Sequence, residues 1–254
     1  MNYHIDTLPY DLSKKSPYKF DDDGVLLTKI PYTNEYHYHL TAIASYAIEK
    51  MDDNNVDWIV NNVGKDGCYH HDFVFPWYPM QRGWVGGLAQ GLAISAMTNA
   101  NKHIVARKLR DGLLENCYNS GIIYEYPNIE ILNGWLYALF GLYDIGPRKL
   151  FNESFKKLKE RIPFYLNDLY TYCRYDYTGM PSTKYYHDIV MKQMKQLYLL
   201  TNDDYILDSY IYLKSIKECP ITDGVSKMNR LFRIMWRHKL HLYKRYMEKK
   251  KWQE

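Results

Sequence analysis

Residues 122–144 read IIYEYPNIEILNGWLYALFGLYD, and this stretch decides how the rest of the chain is read. Pro127 disfavours helical backbone at the residue before it, so Tyr124, Glu125 and Tyr126 are expected to sit extended, as a polar lip. From Ile131 onward Leu132, Trp135, Leu136, Leu139, Phe140, Leu142 and Tyr143 leave almost no polar face. A helix apolar all round is a buried one. Gly134 and Gly141, seven residues apart, fall on one side of it and would let another helix approach closely. The lip at the end of that buried helix is the first place to look for chemistry.

A second helix of the same kind is expected over Trp84–Ala100, where Gly87, Gly91 and Ser95 recur every four residues and Gln90 interrupts the apolar surface. A buried amide needs several partners, which makes Gln90 a structural clamp or a ligand contact. Helical spacing recurs over Tyr36–Met51, Lys102–Tyr118 and Lys149–Leu166, the last two being one-sided and solvated. Ser182 or Thr183 is placed to cap a helix over Tyr185–Leu200, and Asn202 or Asp203 to cap another reaching Lys217. The connections are short, and buried helices alternate with one-sided ones. That pattern argues for layered antiparallel hairpins, an all-α fold whose best fit is an α/α toroid. Residues 1–35, with Pro9, Pro17 and Pro31, read as an N-terminal extended or loop segment containing a hairpin at most. Residues 36–224 read as the toroid domain and 225–254 as a basic amphipathic helix. Aromatic loops before Gly83, around Tyr124 and over Tyr170–Lys184 would then open at one end of the helices.

Composition narrows the function. The chain has 254 residues, 46% hydrophobic and 24% charged, as a soluble globular protein does. Its 27 tyrosines offer flat apolar bodies with hydroxyl tips, suited to stacking on sugar rings. The four cysteines stand far apart, with neither a disulfide framework nor metal-ligand spacing. His70 and His71 are adjacent and so point apart, with no Asp, Glu or His four residues further on. No metal and no cofactor is expected. An N-terminus without an apolar core, and no apolar run near the ~20 residues of a membrane span, lead to the expectation of a cytoplasmic protein. The net charge of +4 is uneven: from Ser226 onward there are 10 Lys or Arg against Glu248 and Glu254, so the remainder carries 23 basic and 27 acidic residues. Such a tail could lie on an anionic membrane, grip a polyanionic glycan, or pack as an ordinary solvated helix.

Three blocks in order resemble the C-terminal domain of the D-glucuronyl C5-epimerases. Ala89-Gln90-Gly91 with Ala93-Ile94-Ser95 is similar to that family's AQGxAIS. Glu125-Tyr126-Pro127, then Leu132-Asn133-Gly134 and Gly141-Leu142-Tyr143-Asp144, is similar to its EYP, LNG and GLYD. Tyr175-Asp176, then Tyr186-His187 and Gln193, form the third. Thr178 stands where the family often has arginine, with Arg174 before Tyr175 instead, and Val190 replaces a second histidine.

The resemblance implies Glu125, Tyr126, Tyr175 and Tyr186 as the catalytic group, with Trp84, Gln90, Tyr124, Asn133, Arg174 and His187 as substrate contacts. It implies inversion at C5 of glucuronate in a heparosan-like or other uronate polysaccharide, with no nucleic-acid partner and a monomer or homodimer left open. Inversion needs two acid/base groups facing each other across the sugar, and burial can tune a carboxylate for one of them. Arg174, His187 or a lysine would neutralise the substrate carboxylate. A polysaccharide lyase shares the same carbanion, and a non-catalytic glycan-binding protein could retain the fold. On side-chain chemistry alone Glu125 reads first as a cap for the helix that follows, with the tyrosines merely stacking, and it is the resemblance that reverses this order.

Overall fold

The structure, a computed structural model, describes residues 8–9, 17–30, 35–75, 78, 80–166, 171–219 and 221–228. It is mainly helical. Eight helices are named in chain order: α1 Leu40–Lys50, α2 Asp53–Asn62, α3 Gly87–Asn99, α4 His103–Asn116, α5 Leu132–Ile145, α6 Arg148–Leu166, α7 Lys184–Thr201 and α8 Asp204–Glu218, with a further short helical stretch over 222–228.

The two sequences without a polar face lie at the centre. Every residue of α3 from Gly87 to Met97 and of α5 from Leu132 to Leu142 is buried, as expected where neither helix can offer water a hydrophilic side. They pack on each other more extensively than any other pair, and glycine makes this possible. A Cβ added at Gly91 would lie 2.4 Å from Ala138 Cα, and one at Gly141 would lie 2.7 Å from the Gly91 carbonyl oxygen. The expected close approach through glycine therefore holds at Gly141. Gly134 faces something else, described below.

Around this pair α1 packs on α3, and α7 on α5. The one-sided helices lie outside, with α2 against α1, α4 against α3, α6 against α5 and α8 against α7. Caps end the elements where the sequence supplies them. Thr183 accepts from the Tyr186 amide, Asp203 from Ile206 and Asp52 from Asn55. Helix α2 was not apparent in sequence, because in DNNVDWIVNN the apolar positions it buries are just Val56 and Ile59.

Within the N-terminal segment a hairpin forms, and a third strand joins it from just beyond position 35, at the start of the stretch whose spacing reads as helical. Strands β1 Tyr18–Phe20, β2 Leu26–Lys29 and β3 Tyr36–Tyr38 make an antiparallel sheet in that order. Val25 and Leu26 join the same core as α1 and α3, so residues on both sides of position 35 are tied together. A second small hairpin, β4 Tyr118–Asn119 and β5 Ile122–Ile123, turns through Ser120 (φ 50°) and Gly121 (φ 90°). Two successive positive φ values give the tight turn that matches strand twist. This hairpin delivers the chain to Tyr124. No helix among the described residues is long and apolar enough to cross a membrane. The expected basic helix lies outside the described residues beyond Met228.

Candidate active site

The lip forms as expected and is tightly anchored. Tyr126-Pro127-Asn128-Ile129 is a turn closed by the Ile129 amide donating to Tyr126 O at 2.9 Å, with Asn128 at φ 59°. Proline followed by a residue of positive φ is the signature of a type II turn. The Glu125 amide donates to Ile129 O at 3.0 Å, and the Tyr124 amide to Cys117 O at 2.8 Å. From the other side the first amide of α3, Gly87 N, is shared between the carbonyls of Tyr124 (3.1 Å) and Glu125 (3.2 Å). The backbone that carries Glu125 is thus wedged against the two central helices.

The Glu125 side chain turns inward. It is 5% exposed, and Oε2 is buried without a hydrogen-bond partner. Burial raises its pKa from 4.5 to about 8, an effect that a hydrogen bond with Tyr126 reduces. It does not cap α5: Ile131 holds the cap position, with no side-chain hydrogen bond. Instead the carboxylate lies against the first turn of α5 in the space left by Gly134, where a Cβ would come within 2.7 Å of Glu125 Cβ and 2.9 Å of its Cδ, and closer still to Oε2. Gly134→Ala is therefore expected to keep the fold, since alanine favours helix, but to swing the carboxylate aside. A loss in activity of about 10²-fold with an unchanged melting curve is the expected result, on the scale of a misplaced catalytic group.

The loop over 171–182 brings the third block to the same place. It docks beside the start of α5: Leu132 N donates to Tyr175 O at 3.4 Å, Tyr177 N to Glu130 O at 3.1 Å, and Ile131 bridges Asp176. Asp176 is fully buried and shapes the turn, accepting from the Thr178 amide (2.9 Å) and from the Tyr78 hydroxyl (3.0 Å). The Ser226 hydroxyl accepts from Tyr172 N at 2.8 Å and ties 222–228 to the loop.

The Tyr175 ring lies 4.9 Å from that of Tyr186, on the first turn of α7. Burial, with the charge of Glu125 next, raises the Tyr175 pKa well above 10 and keeps it a phenol. Glu125, Tyr126, Tyr175 and Tyr186 are thus brought together. Tyr137, one turn beyond Gly134 and 1% exposed, has its pKa pushed well above 10 by burial first, then by Tyr185, Glu125 and Tyr186. It was missed in sequence, although its spacing from Gly134 put it on that face.

The other candidates divide. Trp84 is 6% exposed, stacked on His71 at 3.8 Å, and its ring is 5.2 Å from Tyr126. Tyr124 is half-buried on the lip, and Asn133 is buried in the first turn of α5. Gln90 is a clamp: Oε1 accepts from Tyr69 N (3.2 Å), while Nε2 donates to Gly67 O (3.0 Å) and Leu109 O (3.2 Å). His187 spends both ring nitrogens on the backbone, Nδ1 accepting from Cys173 N at 3.1 Å and Nε2 donating to Leu213 O at 2.9 Å. Arg174 lays its guanidinium over Phe164 at 4.6 Å. Those partners turn Gln90 and His187 to structural work. His70 and His71 do point apart, His70 to Asp66 (2.8 Å) and His71 into the core.

Next to Trp84 an open groove of about 640 Å³ is lined by Met80, Gln81, Arg82, Gly83, Trp84 and Pro127. Pro127 follows Tyr126, so the groove runs past the lip. Phe73, Phe75 and Trp84 pack as an aromatic wall behind it, with Tyr126 against Phe75 and Trp84.

Comparison with known proteins bears out the resemblance. Residues 109–215 match the family model described as D-glucuronyl C5-epimerase C-terminus. The chain is 30% identical over 152 residues to the D-glucuronyl C5-epimerase of Caenorhabditis elegans, covering 48% of this chain and 22% of that protein. It is 26% identical over 238 residues to an uncharacterised protein of Methanocaldococcus jannaschii, covering 82% of this chain and 69% of that protein.

Proposed function

We propose, from the kinship of residues 109–215 with the D-glucuronyl C5-epimerase C-terminal family, that this protein inverts C5 of glucuronate residues in a uronate-containing polysaccharide. The observation that carries the reading is Glu125: a buried carboxylate with one oxygen unpartnered, close enough for its charge to act on the buried phenol of Tyr175. Glu125, ionised, takes the C5 proton; the electron pair left behind delocalises into the substrate carboxylate. Tyr175 or Tyr186 then gives its phenolic proton to the other face of C5. One C–H bond breaks and another forms, Glu125 ends protonated, the tyrosine ends as phenolate, and solvent restores both.

The helix packing supports an α/α toroid as the frame. Helices α1, α3, α5 and α7 form an inner run in which neighbours touch, and each carries its successor in the chain on the outside. The lip and the loop over 171–182 meet at the N-terminal end of α5.

Incubation of glucuronate polymers in deuterated water, read by NMR, tests the reading: deuterium at C5 together with iduronate-type configuration is the expected product. New ultraviolet absorbance from an unsaturated uronate would instead mark a lyase, and binding without any label a glycan-binding protein. Tyr175→Phe removes the proton donor while keeping the ring that packs on Tyr186. It is expected to lower turnover by about 10²-fold or more, with far-ultraviolet dichroism unchanged. Full activity in this variant would transfer the role to Tyr186.

A further inference from the structure

We propose that the groove lined by Met80, Gln81, Arg82, Gly83, Trp84 and Pro127 is a subsite for the polysaccharide beyond the reacting sugar, with Arg82 pairing the carboxylate of the flanking uronate. This rests on the uronate-polymer reading above and names a residue and a subsite for it.

The volume of about 640 Å³ falls within the usual range of ligand sites, about 300–1,000 Å³. Its walls suit a sugar chain: exposed Pro127 gives apolar surface, the nearly buried Trp84 backs it, and exposed Gln81 and Arg82 give donors. The Trp84 indole N–H is already bound to Phe73 O at 2.6 Å, so this residue supports the groove from behind and offers no hydrogen bond to it. Arg82 is exposed and, among the described residues, makes no hydrogen bond, ion pair or ring contact. Other arginines have partners: Arg174 lies over Phe164, Arg161 is 3.4 Å from Glu130 and Arg148 lies over Tyr143 at 3.6 Å. A guanidinium left free in a groove wall matches the planar geometry of a carboxylate.

Position decides which carboxylate. The ring of Tyr126 packs on Trp84 at the groove and its hydroxyl bonds Glu125 behind, so Tyr126 stands between the groove and the proton-abstracting carboxylate. A chain threaded past Tyr126 puts its reacting sugar at Glu125 and its next uronate at Arg82.

Titration calorimetry with a decasaccharide of alternating glucuronate and N-acetylglucosamine, and with its carboxyl-reduced counterpart, tests this on the full chain. Arg82→Gln is expected to weaken the decasaccharide on the order of fivefold, the scale of a solvent-facing ion pair, to leave the reduced sugar unaffected, and to raise KM without moving kcat. Arg82→Lys should recover much of the loss. Equal affinity of wild type and Arg82→Gln for the decasaccharide, or an equal loss for both sugars, overturns the subsite, as does a wild type that binds neither. Binding is read without turnover, so the two readings fail separately. Arg82-dependent binding without C5 exchange would sink the epimerase and keep the groove, and exchange that ignores Arg82 would do the reverse.

Discussion

Glu125→Gln is expected to abolish C5 deuterium incorporation, lowering turnover by about 10²–10⁴-fold, the usual contribution of a positioned acid or base. The amide has the shape of the neutral acid but cannot take a proton. Since Glu125 must be ionised to act and its pKa is raised to about 8, activity of the unmodified protein should climb as pH rises through about 8. Stability moves the other way. The unfolded carboxyl ionises near 4.5 while the folded one holds its proton to about 8, so folding binds a proton across that interval and stability falls as pH rises through it. The full cost, a few kcal/mol, is present above about 8. Glutamine removes this slope, so urea melts at pH 5 and pH 9 should differ less in the variant than in the wild type. An unchanged exchange rate in Glu125→Gln would falsify the assignment of the base.

Gly91→Ala should give the largest loss of stability. Alanine in a helix interior ordinarily gains about 1 kcal/mol over glycine. Here the new methyl would lie 2.4 Å from Ala138 Cα and 2.7 Å from both Ala138 N and Tyr137 O. These are backbone atoms of α5 that cannot rotate away, so the helices must separate along the most extensively packed interface of the fold. Overpacking of this kind costs about 1–3 kcal/mol and occasionally more. A net destabilisation of about 2 kcal/mol or greater is expected in urea titration, accompanied by lost activity because α5 carries Gly134. Equal stability of the two proteins would mean the helices part without cost.

The parts of the fold that could be read from sequence are those governed by local rules. Apolar residues all round gave α3 and α5, Pro127 gave the lip, and Thr183 and Asp203 gave their caps. The parts that could not be read are settled by contacts distant in the chain. Gln90 and His187, buried polar groups within motifs, looked like ligand contacts because their partners stand 14 to 26 residues away. The partner of Gly134 is nine residues back, on a different element. Strands β4 and β5 are two residues each and leave no alternation to detect. Of the site, Glu125 and three tyrosines were legible through motifs, whereas Tyr137 was masked by the apolar run that holds it and Arg82 by an exposed position like any other.

Gly134 has an electrostatic side as well. It is the third residue of α5, so the carboxylate it seats lies against a helix N-terminus, where the peptide dipoles add to roughly half a positive charge. While Glu125 is protonated that field acts on a nearly neutral group and is worth little. Once the acid ionises, the same dipoles stabilise the anion without any rearrangement. Burial therefore sets the resting state as a carboxylic acid, and the helix end limits how unfavourable the reactive state becomes.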